Sequence, residues 1–327
     1  MPTRILSLSG GGIRGIFQAV YLREIAAQLS APLRECFDLV AGTSTGAIIA
    51  LGVSLGIDLN KIVRLFETDG NNIFPSHIRR SANRSISWFS LGPRYDPEPL
   101  RKILNEVFQA DGTRQLQLRD CRPPVVIAAA TLDKYQIRTF TTLDRCGAPD
   151  SRDGELFAAD VALASAAAPL FFPAYRPRGR TQHGEIRIEE RTYVDGGLWA
   201  NNPTLWTVMQ AHRHMGVAFA DMRVISVGNG EVPAGVVGVD FNKMRRFRML
   251  NPILDIMFST QSELSDLSTA YLLGDESMTG DRMLRINAQL DKLVDLDDVS
   301  EAVRRLKPLA EQAARNSFGR FSKLTQT

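Results

Sequence analysis

Three short stretches of this chain have residue types and spacing suited to acyl transfer. Gly42-Thr43-Ser44-Thr45-Gly46 fits G-x-S-x-G between an apolar strand pattern and an apolar helix pattern. A sharp turn in that setting lifts the Ser44 hydroxyl off the end of a strand. Small neighbours leave room for a crowded, strained backbone. The amino terminus of the following helix adds positive dipole character beside a developing oxyanion. The pentapeptide alone also describes a plain turn with an idle serine; the strand–turn–helix setting weighs against that.

The second stretch, Gly10-Gly11-Gly12-Ile13-Arg14-Gly15, follows the first strand pattern and opens a helix. Consecutive backbone N–H groups there can cradle an anion or a tetrahedral oxyanion. Gly10, Gly12 and Gly15 also satisfy G-x-G-x-x-G, which keeps open a nucleotide-binding regulatory protein using this loop for phosphate. A dinucleotide site wants an acidic residue ending the second strand, ~20 residues further on. Asp38 lies near that distance but precedes its strand.

Asp195-Gly196-Gly197 is the third stretch, where two glycines let a carboxylate project from a tight turn into a cleft. By itself D-G-G is an ordinary turn, and its weight comes from the other two stretches. A carboxylate held ~2.6–3.2 Å from a serine hydroxyl can deprotonate it directly. Partial desolvation raises such a group's pKa toward the useful range. A Ser-His-Asp hydrolase is the alternative, since Ser44, Asp195 and His212 or His214 stand in the order an α/β-hydrolase uses. Those histidines fall in an amphipathic helix pattern ending in charged residues, which favours a solvated face. The first strand also sits too close before the turn for that fold's succession of earlier strands.

The elements that must hold these residues read as alternating strands and helices. Residues 4–9, 37–41, 124–131, 136–142, 185–194, 223–227 and 283–286 have strand patterns. Helical spacing covers 16–29, 45–55, 59–67, 96–108, 156–168, 202–214, 252–273 and 299–314. The fold class expected is α/β: one domain over 1–327 with a mainly parallel central sheet flanked by helices on both faces. Its motif-bearing core spans about 4–230, and 231–327 form a C-terminal helical part. Residues 74–95 break the alternation, carrying Arg79, Arg80, Arg84 and Arg94 with no acidic residue, beside Trp88 and Phe89. These arginines either meet phosphates of a lipid surface or nucleotide, or form a solvated loop over a core tryptophan.

Bulk properties narrow the class further. The 327 residues are 44% hydrophobic and 23% charged, ordinary for a globular chain able to bury a core unaided. A net charge of +3 is too weak to imply binding to a nucleic acid polymer. Cys36, Cys121 and Cys146 are an odd set without C-x-x-C spacing, so neither a disulfide framework nor a structural metal is expected. The opening residues lack the apolar core of a leader peptide, and the most apolar stretch, 36–57, is interrupted by Asp38 and the serine turn. The expectation is a cytoplasmic protein that touches membranes peripherally.

Together the three stretches resemble the patatin-like phospholipase family. Two further features carry the likeness: Ala164-Ser165-Ala166-Ala167-Ala168-Pro169, and Asn201-Asn202-Pro203 after the aspartate turn. The resemblance covers about residues 6–230, and no motif is broken. It implies a lipid acyl-hydrolase with Ser44 as nucleophile and Asp195 as base, needing no metal or cofactor. It also implies an oxyanion hole from Gly10, Gly11 and Gly12, and Arg14 bracing the loop or neutralising charge near a membrane phospholipid substrate. The layout is similar to bacterial members switched on by a cyclic dinucleotide in anti-phage defence, which makes such an activator, and a homo-oligomer, further expectations.

Overall fold

The structure, a computed structural model, describes residues 1–76, 92–143, 152–232, 250–278, 280–292 and 294–325. Arg79, Arg80 and Arg84 lie outside the described residues. A seven-stranded sheet runs β7-β6-β1-β2-β3-β4, with β5 also paired to β3. Its strands are β1 (Thr3–Leu8), β2 (Leu39–Thr43), β3 (Val125–Thr131), β4 (Gln136–Thr141), β5 (Tyr193–Asp195), β6 (Met222–Val227) and β7 (Met283–Ile286). The first five in spatial order are parallel, while β4 and β5 run antiparallel to β3.

Alternation along β1 explains why both faces are covered. Leu6 and Leu8 join one apolar cluster, and Ile5 joins the other. The first face carries α1 (Ile16–Ala26), α2 (Thr45–Ser54), α3 (Leu59–Glu67), α4 (Glu98–Val107), α5 (Ala158–Ser165) and α8 (Val299–Thr325). The second is covered by α6 (Thr204–Met215) and α7 (Leu250–Leu273), through Val208, Ala211, Ala270 and Leu273. A parallel sheet buried on both sides needs strands that are nearly all apolar, as β2 and β3 are.

Three elements differ from the sequence expectation. The strand expected over 185–194 is divided: Ile186–Ile188 forms a surface hairpin with Arg178–Arg180, and only Tyr193–Asp195 joins the sheet. Glu189, Glu190 and Arg191 stand in a row between them, and three adjacent charges cannot enter a buried sheet. The helix expected over 156–168 ends at Ser165, because the Ser165 and Ala167 carbonyls accept the amides of Gly196 and Asp195. The last helix runs on to Thr325 instead of stopping at 314. Its second half keeps Ser317, Phe321 and Leu324 buried, with Phe321 edge-on to Phe37 at 5.9 Å.

Candidate active site

Strand β3 acts as a ruler that brings two distant residues together. Thr43, the last residue of β2, pairs with Ala128, and Asp195, the last of β5, pairs with Ala129. The two strands therefore approach end to end along the same edge of β3, and the residue after Thr43 is Ser44. The Ser44 hydroxyl donates to Asp195 Oδ2 at 2.7 Å.

Ser44 has φ 55° and ψ −123°, a conformation that L-residues adopt only under constraint. Two contacts supply the constraint. The Ser165 hydroxyl accepts the Ser44 amide at 2.9 Å and itself donates to the Ala128 carbonyl at 2.6 Å. Behind the turn, a Cβ on Gly46 would lie 2.3 Å from the Leu8 carbonyl oxygen, so only glycine lets α2 start this close to β1.

Asp195 is buried, at 6% exposure. Its Oδ1 accepts the Gly197 amide at 2.6 Å. Burial pushes its pKa up to about 6, against the opposing pull of the Ser44 hydroxyl and the Gly197 amide. A carboxylate so placed is both ionised near neutrality and basic enough to take a proton from serine.

The glycine loop faces the pair. Ser44, Asp195, Gly11, Gly12 and Asn201 all line one cavity of about 700 Å³, part of it open to solvent. Among the described residues, the amides of Gly11 and Gly12 have no acceptor, whereas the Gly10 amide donates to the Asn201 carbonyl at 2.8 Å. The Gly10 amide is thus already engaged within the fold, unlike those of Gly11 and Gly12. The remaining wall is apolar, with Ile48, Phe66, Phe74, Leu100, Phe171 and Phe172 among its residues.

Other sequence candidates fall elsewhere. Arg14, 5% exposed, donates its Nε to the Gly11 carbonyl at 3.3 Å, bracing the loop from the side away from Ser44. Arg94 pairs with Asp297 at 2.8 Å and lies over the Phe171 ring, so it is held within the fold and does not present a free cation. Asp38 bonds Arg4 at the opposite end of β2 from the serine, which removes it as a ribose ligand. His212 sits against the Phe219 ring with Nδ1 2.8 Å from the Val217 carbonyl, and no described histidine lines the cavity. Ser165 and Asn201 stood in stretches already noted, without any sign of their contacts. Phe258 and Leu296, wall residues from the C-terminal part, carried no signal in the sequence.

Residues 6–206 match the patatin-like phospholipase family. A cGAMP-activated phospholipase of Pseudomonas aeruginosa (strain BWHPSA011 / Pa011) is 30% identical over 333 residues, which cover 98% of this chain and 90% of that protein. A cUMP-AMP-activated phospholipase of Escherichia coli is 30% identical across 81% of this chain and 77% of its own. Patatin-like protein 4 of Arabidopsis thaliana is 26% identical across 99% and 86%. The family match spans the glycine loop, the serine turn and the aspartate turn, and this chain belongs to the patatin-like phospholipase family, as a lipid acyl-hydrolase.

Proposed function

We propose that Ser44 and Asp195 are the complete catalytic pair of this hydrolase, acting on the fatty-acyl ester of a membrane phospholipid. The observation that carries the reading is the 2.7 Å Ser44–Asp195 bond at the floor of an apolar cavity. An acyl chain fills that cavity and sets the ester carbonyl beside Ser44. Ser44 Oγ attacks the carbonyl carbon while its proton passes to Asp195. The amides of Gly11 and Gly12 stabilise the oxyanion; losing one such donor typically costs about 10²–10³ in rate. The ester C–O bond breaks, and the leaving lyso-alcohol takes the proton back from Asp195. A water then gives its proton to Asp195 and attacks the acyl-enzyme, releasing the fatty acid and returning the proton to Ser44.

Activity switched on by a cyclic dinucleotide is part of the same proposal. Its support is that relatives covering 98% and 81% of the chain are activated phospholipases of that kind. The test is fatty-acid release from phospholipid vesicles, with and without a cyclic-dinucleotide panel. Ser44→Ala and Asp195→Asn are each expected to lose at least about 10³ in rate, and His212→Ala to keep its rate. Dependence on a histidine would replace the pair by a triad. Undiminished release without any nucleotide would remove the switch.

A further inference from the structure

Beside the catalytic cavity lies a second, polar one of about 1290 Å³ including its open mouth. It sits beyond the carboxyl ends of β1, β6 and β7, the crevice where open α/β sheets hold ligands. Helix α7 forms its other side. The two cavities share Asn201 and Phe258 as wall residues. Gly11 and Gly12 face the first, and Ser9 and Arg14 face the second. The acyl transfer described above makes no use of this space.

Three groups in it keep hydrogen-bonding capacity unused among the described residues. Ser9 Oγ is buried at 2% exposure without a hydrogen-bond partner among the described residues. Arg14 uses only its Nε, and among the described residues its other N–H groups have no acceptor. Asp255, half-buried on α7, has neither a hydrogen bond nor an ion pair among the described residues, and feels Arg14 and, with opposite sign, Asp295 through space. Two neighbouring acids are satisfied, Asp266 by Arg285 at 3.0 Å and Asn202 at 2.8 Å, and Glu231 by Asn287 at 2.9 Å, while Glu263 stands exposed at the rim. A cation and an anion thus face one cavity, close enough to interact but not in contact. A ligand carrying both charges in reverse order satisfies each of them.

We propose that this cavity receives the lipid headgroup as a zwitterion, with phosphate on Arg14 and Ser9 and ammonium on Asp255, selecting amine-bearing phospholipids. The inference rests on Ser44 as the nucleophile, which sets the ester near the junction of the two cavities. A phosphoglycerol headgroup matches Arg14 but leaves Asp255 unpaired.

Calorimetric binding of sn-glycero-3-phosphoethanolamine and sn-glycero-3-phosphoglycerol to the full chain tests this without requiring turnover. The ethanolamine compound is expected to bind about 10-fold tighter or more, from one charge-assisted contact. That preference should persist in Ser44→Ala and Asp255→Glu, and shrink to within about twofold in Asp255→Asn. Equal affinities in wild type, or an undiminished preference in Asp255→Asn, would overturn the proposal. So would competition by a cyclic dinucleotide for the same cavity, which would make it the activator's site. Hydrolysis of p-nitrophenyl butyrate by wild type and Ser44→Ala reports separately on the nucleophile, so failure of that reading is told apart from failure of this one.

Discussion

At the scale of single residues, Asp195 links activity to pH and to stability in opposite directions. Its folded pKa of about 6 lies above the ordinary 3.8. Between those values the folded chain holds a proton that the unfolded chain has released, so this group's contribution to stability falls as pH rises from about 4 to 6. The loss is on the order of 3 kcal/mol at neutral pH. Asp195→Asn removes the charge while keeping an acceptor for the Gly197 amide. It is therefore expected to melt no lower than wild type at pH 7, and to gain nothing at pH 4. Activity should fall tenfold per unit as pH drops below about 6, because the base is then protonated; a flat profile from pH 7 to 5 would contradict this. Thermal melts and rates across pH 4–8 check both halves. Ser44 and Asp195 were legible in the sequence because each sits in a contiguous pattern of glycines that marks its turn. The engagement of the Gly10 amide was not, since its acceptor, the Asn201 carbonyl, comes from a loop 191 positions away.

At the scale of elements, the serine turn is held by a neighbour that takes no part in the chemistry. Ser165 ends α5 and joins the Ser44 amide to the Ala128 carbonyl. Ser165→Ala leaves a buried amide and a buried carbonyl unsatisfied beside a residue with positive φ. The expected cost is about 1–3 kcal/mol of stability, with kcat falling more than KM changes, as denaturant curves and vesicle assays would show. Gly46→Ala drives a methyl into the Leu8 carbonyl and should cost at least as much, since backbone cannot rotate away. The order of strands and helices was readable from apolar periodicity. The misjudged boundaries, at 165 and within 185–194, lie where the chain leaves a regular element to hydrogen-bond with a distant one, and local pattern carries no record of that.

At the scale of the whole molecule, the C-terminal part is built into the wall of the proposed active site. Phe258 and Leu296 line the acyl cavity, and the Leu296 carbonyl accepts the Ile13 amide at 2.9 Å inside the glycine loop. Asp297 receives both Arg94 at 2.8 Å and the Tyr95 hydroxyl at 2.7 Å, tying the segment before α4 to the turn before α8. Asp297→Ala removes this acceptor from both donors and should lower stability by about 2–4 kcal/mol, seen as a fall in the denaturation midpoint. None of this was visible beforehand, because apolar and acidic residues after 230 form no motif. The pairing of β1 with β6 over residues 222–227 carries a practical consequence. A fragment cut after residue 206, where the family match ends, would keep Ser44, Asp195 and the glycine loop yet leave the middle strand of the sheet bare along one side. That bare strand would offer Ile5, Leu6 and Leu8 with a full row of unpaired amides, a template for chain-to-chain pairing, so such a fragment should precipitate as β-rich aggregate.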